Sequence, residues 1–512
     1  MPTDIQAPDL NYAALSPLLL VFGAAIIGVL IEAFAPAPRR RQLQIGAALA
    51  GLVAALVAVV ALAGTAELVA VAAVAVDGPA LFLQGTLALI GIVAILMLAE
   101  RSLDDTGGAV VAQAALTPGS RADASLAESS QVQTEVFPLA MFSLGGMMLF
   151  PASNNLLLMF VALEVLSFPL YLMAGLARRR RLLSQEAAVK YFLLGSFASA
   201  FFIYGVALIY GYAGSVDIGV IFTASQLTGS NDALLFLGIA MLSVGLLFKI
   251  GAVPFHAWTP DVYQGSPTPV TALMAAATKI SAFGAVLRVF YVAFGQSTWD
   301  WRPMMWAVAI ITMIVGAVLA VTQTDVKRML AYSSIAHTGF ILVGVIAVND
   351  AGLAGTLFYL ATYGFTTMAA FAIVTLVRDG GGEATHLAQW TGLGRKSPLV
   401  AGVFAFLLFA LAGIPLTSGF MAKFAVFSAG IAGGATPVVI VGVIASAVTA
   451  FFYARVVVLM FFNEPAPNGP TVAVPGGFTA AVIALGLAVT VVLGVLPQPL
   501  LDLADQAALF VR

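Results

Sequence analysis

The chain has no cysteine. It can therefore form no disulfide, bind no zinc through thiolates and ligate no iron–sulfur cluster of its own. Histidine is almost as scarce, with only His256, His337 and His386, which leaves little material for a metal or haem centre. Charge is thin too: 9% of the 512 residues are charged, against roughly 25% in a soluble domain. Walker-type glycine loops are missing, and "RDGGGEATH" at 378–386 follows an apolar run rather than a strand, so it reads as a flexible turn. The leading stretch "MPTDIQAPDLNYAALSPLLL" lacks the Lys or Arg that a secretory leader needs, so the first apolar run is expected to be retained.

What remains is oil. Hydrophobic residues make up 61% of the chain, more than the surface of a soluble globule could hide, so the solvent of the fold has to be lipid. The runs are long and unalternating, which excludes a barrel and predicts helices. About fourteen of them reach spanning length: 15–31, 43–62, 81–98, 136–150, 156–176, 187–210, 234–255, 269–292, 304–321, 329–348, 353–377, 399–427, 438–462 and 478–496. The expected fold is an all-α polytopic membrane protein. Its segments are a three-helix lead (1–100), a polar loop (101–135), spans 4–8 (136–293), spans 9–13 (294–462) and a last span (463–512).

Lys and Arg mark the sides. Arg39 to Arg41, Arg101, Arg121, Arg178 to Arg181, Lys327, Arg328, Arg378, Arg395 and Lys396 all fall in loops after odd-numbered runs. Loops after even-numbered runs hold little beyond Arg302. The positive-inside rule then makes the odd loops cytoplasmic and sends both termini to the periplasmic side of a bacterial inner membrane. "RRRR" at 178–181 is read as a topology anchor, not a nucleic-acid patch. Arg288 and Arg455, near span ends, are expected to snorkel.

Five further charged residues lie within runs. Glu164 ("LLLMFVALEVLSFPLYL") is about nine residues into the fifth run, ~13 Å deep at ~1.5 Å per residue. Lys249, Lys279 and Lys423 lie in the seventh, eighth and twelfth, and Lys190 nearer the cytoplasmic end of the sixth. A charge at mid-membrane costs roughly 2.5–3.5 kcal/mol on insertion scales, so such groups are candidates for function. The plainer alternative is ion pairing that only fixes helix register.

The seventh and twelfth runs also contain Pro254 and Pro415, each flanked by small residues. Paired, Pro/Gly-interrupted spans in two halves point to an ion path, because a broken helix frees backbone groups that water can reach. The two interrupted runs stand fourth in spans 4–8 and fourth in spans 9–13. Five spans per unit force the two repeats into inverted topology. Lysines that change charge state beside Glu164, with His256 and His337 as further titratable groups, could then hand protons along the membrane.

At this point the motifs become specific. "LLFKIGAVPFHAWTPDVYQGSPTPVTALMAAATKISAF", "TDVKRMLAYSSIAHTGF" and "AGIPLTSGFMAKF" strongly resemble the antiporter-like membrane subunits of respiratory complex I, the proton-pumping NADH:quinone oxidoreductase. The resemblance spans nearly the whole chain. It implies that Glu164 and Lys249 are the interacting pair, Lys279 the central channel lysine and Lys423 the exit-side lysine. Lys190 falls at a basic position of less settled role, and His256 and His337 on the central hydrated axis. Subunit M is expected to carry glutamate where Lys423 stands, and subunit L to add a long lateral helix; this chain stops at Arg512. Implied partners are subunits M and K as neighbours, the lateral helix of L, and lipids, with no nucleic acid. FMN, iron–sulfur clusters and quinone would reside in the partners, and no cofactor in this chain. A subunit of a multi-subunit cation/proton antiporter would use the same fold and lysines, and a purely structural membrane anchor is the remaining alternative.

Overall fold

The computed structural model describes residues 10–103, 108–111, 117, 120–127, 133–226, 232–379, 382–465 and 469–511. Much of the polar connection at 101–135 lies outside the described residues, as do residues 1–9, the glycines at 380–381 and Arg512. The helices run, in order, α1 (Ser16–Phe34), α2 (Ala37–Ala61), α3 (Gly78–Ala99), α4 (Arg121–Ala127), α5 (Val136–Leu149) and α6 (Leu156–Ala174). Then come α7 (Arg181–Ala213), α8 (Ile218–Ala224), α9 (Asp232–Ile250) and α10 (Trp258–Gly265). Next, α11 (Thr268–Leu273) and α12 (Lys279–Arg288) form one continuous helix through π-turns at Met274–Thr278 and Val289–Ala293. After it follow α13 (Thr298–Val321), α14 (Val326–Ala347), α15 (Asp350–Leu376), α16 (Leu393–Lys396), α17 (Pro398–Ala412) and α18 (Ser418–Ala432). The series closes with α19 (Thr436–Phe462), α20 (Gly477–Val495) and α21 (Gln498–Gln506).

Among the described residues, twelve helices are long and apolar enough to cross a membrane. Three shorter apolar helices match the remaining expected runs: α5 the fourth, and α17 with α18 the twelfth, broken in two. The seventh run is broken as well, between α9 and α10. Two small sheets depart from a purely helical expectation. The first pairs β1 (Glu67–Val69) with β2 (Val74–Val76); the second has the order β4 (Gly382–Glu383), β3 (Val377–Asp379), β5 (Thr471–Val472). The stretch read as a flexible turn at 378–386 thus has paired flanks: Arg378 faces Glu383 and Asp379 faces Gly382 in an antiparallel hairpin.

A helix that is apolar on all sides belongs at the centre of a bundle. The continuous helix Thr268–Ala293, α14 and α15 are almost wholly enclosed, while α1, α2, α7, α13, α19 and α20 turn one face outward. Many of the buried polar residues lie on this enclosed set, among them Lys279, Ser334, His337 and Thr338.

Basic loop residues gather at one end of the bundle. There Arg178 Nε donates to Gly108 O (2.8 Å), Arg180 to Thr385 Oγ1 (2.6 Å), and Lys327 Nζ to Ser266 O (2.6 Å). A cavity of about 90 Å³ opens among Glu100, Arg178, Lys327 and Glu383. Glu100, just past α3, accepts from the backbone N–H of Thr479 in the first turn of α20 (3.0 Å). Burial works against the charge on Glu100. Hydrogen bonds from Ser102, Thr479 and Arg101 outweigh it and hold the carboxyl below its usual range.

The opposite end corrects an expectation. Arg288 does not snorkel; it is fully buried and pairs with Asp77, also fully buried, at 2.7 Å. Its Nε donates to Pro151 O at 2.5 Å, and its guanidinium lies 4.9 Å from the Phe510 ring. Asp77 also caps α3 by accepting from Ala80 N (3.1 Å), and it takes the N–H of Val511 (3.1 Å). Removing one member of such a pair strands a buried charge, at a cost of roughly 3–5 kcal/mol. Arg288→Met is therefore expected to lower the thermal midpoint of the purified protein sharply. The double variant Asp77→Asn/Arg288→Met should recover most of that loss, and a double no better than the single would refute the pairing.

Candidate functional site

Both breaks are built by the same local chemistry. After α9, Gly251 takes a left-handed φ of +72°, Gly251 N donates to Phe248 O (3.0 Å), and Ala252 N reaches back to Leu247 O (2.9 Å). After α17, Gly413 has φ +86°, its N–H goes to Phe409 O (3.0 Å), and Ile414 N also reaches Phe409 O (3.1 Å). These are glycine C′ caps, in which only a residue without Cβ adopts the turn cheaply, and proline follows to prevent the helix from resuming. The fragments "KIGAVP" and "LAGIP" are thus one device used twice.

A helix that ends inside the protein leaves carbonyls to be satisfied. Lysines answer at both breaks. Lys279 Nζ lies 2.7 Å from Ser334 O and 3.5 Å from Ile250 O, the last residue of α9, and also donates to the Thr338 hydroxyl. Thr338 in turn donates to Ile250 O at 2.7 Å. Lys423 Nζ donates to Ala412 O, the last residue of α17, at 2.7 Å, and to Ser446 Oγ at 2.9 Å. It sits 4.6 Å from the centre of the Phe340 ring. Lys249, one residue before the first break, donates to Ser167 Oγ (2.7 Å) and Tyr191 OH (3.2 Å). The three lysines are 3%, 4% and 5% exposed for Lys249, Lys279 and Lys423, and among the described residues no carboxylate lies within ion-pair distance of any of them.

Glu164 therefore does not touch Lys249. It is half-buried on α6 and accepts from Ser199 Oγ on α7. Ser167, one helical turn further along α6, makes the contact with Lys249 instead. Between Lys249 and Lys279 lies a cavity of about 10 Å³, lined by both lysines and by Trp258, Thr259, Tyr263 and Thr278. That is near the room one water needs. The hydroxyls of Thr259 and Thr278 are buried there without a hydrogen-bond partner.

His337 stands at mid-length of α14, which begins at Val326 under an Asp325 cap. It adjoins Thr338, which holds Lys279, and is three residues from Phe340, which faces Lys423, so both amines lie within its electrostatic reach. Its Nδ1 is 2.8 Å from Tyr359 OH, and its Nε2 is buried without a hydrogen bond. The other candidates fall away from this line. His256 lies in the break itself, beyond the end of α9, and is half-buried. Lys190 is at the basic end, paired with Glu186 (2.6 Å) and Asp261 (2.7 Å). His386 caps the short turn Leu387–Trp390. A search for charge alone passes over Ser167, Tyr191, Ser334, Thr338, Tyr359 and Ser446. Spacing was the available signal for some of them: Ser334, His337 and Thr338 are three and four residues apart, on one helix face.

No group of three or more His, Asp or Glu among the described residues is placed to hold a metal ion. What the site offers is a row of amines, hydroxyls and one imidazole across the middle of the bundle.

Comparisons with known proteins agree with this layout. Residues 153–449 match the family described as NADH:quinone oxidoreductase/Mrp antiporter, TM. A chain in the respiratory complex I of Thermus thermophilus with bound aureothin superposes with a TM-score of 0.77 at 32% identity, covering 96% of this chain and 99% of that one. A chain of the Mrp complex from Dietzia sp. DQ12-45-1b gives 0.80 at 23% identity, over 98% and 97%, a likeness of fold. Fold and site together define an antiporter-like membrane subunit. NADH-quinone oxidoreductase subunit N from Parafrankia sp. (strain EAN1pec) is 62% identical over 98% of this chain and 96% of its own. The same subunit from Rhodococcus opacus (strain B4) is also 62% identical, over 99% and 98%. The chain belongs to the subunit N family of NADH-quinone oxidoreductase. It is a polytopic membrane component of a multi-subunit, proton-pumping complex.

The break at Gly413 makes a sharp test of the site. A Cβ there would sit at positive φ, costing about 1–2 kcal/mol, and would come 3.0 Å from Lys423 Cδ. Gly402, on α17, has nothing within 4 Å of such a Cβ. Gly413→Ala is expected to lower proton pumping by the assembled complex in vesicles, while Gly402→Ala leaves it intact. Equal behaviour of the two would disconnect the break from function.

Proposed function

We propose that this subunit moves protons along a buried relay of Glu164, Lys249, Lys279, His337 and Lys423, driven by quinone reduction in partner subunits. The observation that carries the reading is the set of three buried lysines, each held by hydroxyls or freed carbonyls and none by an anion. A cation buried without a counter-charge has to be compensated elsewhere. Charge on one lysine therefore bears on the next. A shift of Glu164 relative to Lys249 alters the electrostatic support for that ammonium. The proton released passes through the cavity between Lys249 and Lys279, where a single water on Thr259 and Thr278 would bridge the amines. His337, already hydrogen-bonded to Tyr359, is the relay between Lys279 and Lys423. His256 and Lys190 serve from outside this line, Lys190 through its pairing with Asp261.

The reading carries a topology with it. Counting α5 and the α17–α18 pair as crossings gives fourteen spans, with 1–100 leading, 136–293 and 294–462 as inverted repeats, and 463–512 closing. The basic end faces the cytoplasm and both termini the periplasm. Subunits M and K flank this one, with the lateral helix of L along the arm, and FMN, iron–sulfur clusters and quinone belong to the partners.

The test uses the assembled complex in proteoliposomes, with NADH and a quinone as substrates. Lys249→Met, Lys279→Met and Lys423→Met are each expected to cut proton pumping by roughly tenfold or more, with the complex still assembled on native gels. Glu164→Gln should act in the same direction. Full pumping in any assembled lysine variant would remove that lysine from the relay.

A further inference from the structure

One carboxylate outside the relay has more cationic partners than any other in the described ion pairs. Asp261 lies in α10, the eight-residue helix that follows the first break. Its Oδ2 is 2.7 Å from Lys190 Nζ on α7, and its Oδ1 is 2.6 Å from Arg328 on α14. The three side chains are 31%, 40% and 28% exposed for Asp261, Lys190 and Arg328. They sit at the basic end of the molecule, where solvent reaches them. Isolated exposed pairs contribute little. Here, however, one short helix is held between two long ones, and a helix of that length has little stability of its own.

Each cation leads to a buried lysine. The residue after Lys190 is Tyr191, whose ring stacks on Trp258 of α10 with centroids 4.6 Å apart and planes 7° from parallel. The Tyr191 hydroxyl accepts from Lys249. On the other side, Arg328 also donates to Gln264 of α10 (3.1 Å), and Gln264 donates to Asp325 (3.2 Å) at the cap of α14. Further along α14, Ser334 and Thr338 hold Lys279. The helix in the middle, α10, supplies Trp258, Thr259 and Tyr263 to the wall of the cavity that joins Lys249 to Lys279. Lys190 is moreover shared with Glu186, 2.6 Å away on its own helix. It can let go of Asp261 without losing its counter-charge.

We infer that Asp261 is a positioning residue: a latch that fixes α10 between α7 and α14, and so sets the width of the cavity between Lys249 and Lys279. This inference rests on the relay proposed above. Asp261 transfers no proton itself. Held by both cations, it keeps Tyr191 on Lys249 and the cavity at one-water width. Released by Lys190, α10 is still held by Arg328 and the spacing of the two amines only loosens; released by both, the amines lose it.

The experiment measures pumping by the assembled complex in proteoliposomes, together with hydrogen exchange of peptides covering residues 258–265. Lys190→Met and Arg328→Met each leave Asp261 one cation, so each should cost less than about 1.5-fold in pumping and raise exchange modestly. The Lys190→Met/Arg328→Met double and Asp261→Asn should both lose roughly tenfold, far more than the singles multiplied, with fast exchange at 258–265. Asp261→Glu, which keeps the charge, should restore most of the pumping. Losses that simply multiply, or a pumping defect with exchange unchanged at 258–265, would overturn the latch. Should Asp261→Asn fail to assemble, the two single variants decide, since unchanged exchange in both sinks the proposal. Lys249→Met, run alongside, separates the two readings. Normal pumping there defeats the relay, whereas a dead Lys249→Met beside a fully active Asp261→Asn defeats the latch alone.

Discussion

Everything central in this protein depends on two unfinished helices. A helix in hydrocarbon can stop only where something takes up its last carbonyls. α9 ends at Ile250 and α17 at Ala412, and a lysine amine is brought to each terminal oxygen. The arrangement solves two problems together. The carbonyl dipole at a helix C-terminus favours a cation, and the ammonium finds hydrogen-bond acceptors where no carboxylate is present. The lysines need the breaks as much as the breaks need the lysines.

The two breaks reach that end by different routes. At the first, the amine comes from the next span, through Lys279, and Thr338 of α14 supports the same carbonyl. At the second, the amine comes from the continuation of the broken span itself, through Lys423, and a neutral residue, Ser446, approaches the carbonyl at 3.4 Å. The first break also has a second lysine, Lys249, two residues before its glycine, where the second has Leu411.

The sequence disclosed the charged members of the site because charge is so rare in this chain that a lysine inside an apolar run stands out. The spans were legible for the same reason, and the two breaks announced themselves through proline. What could not be read was whatever depended on distant partners. Arg288 looks like a residue at the end of a helix; its burial depends on Asp77, 211 positions earlier. The hydroxyls of Ser167 and Tyr191 are ordinary residues of membrane helices until the fold brings Lys249 to them. Glu164 and Lys249 were expected to meet, but a turn of α6 puts Ser167 in the contact.

The Asp77–Arg288 pair also has a bearing on how the subunit is made. Asp77 opens the third helix, Arg288 closes α12, and the groups that complete their enclosure, Val511 N–H and the Phe510 ring, follow the last helix. A chain emerging from the ribosome inserts both charged residues long before 510 and 511 exist. Until those residues arrive, the pair stands on a partly open rim. Residues 510 and 511 therefore bring together, late in synthesis, two ends of the fold set 211 positions apart; without them an arginine and an aspartate keep incomplete cover.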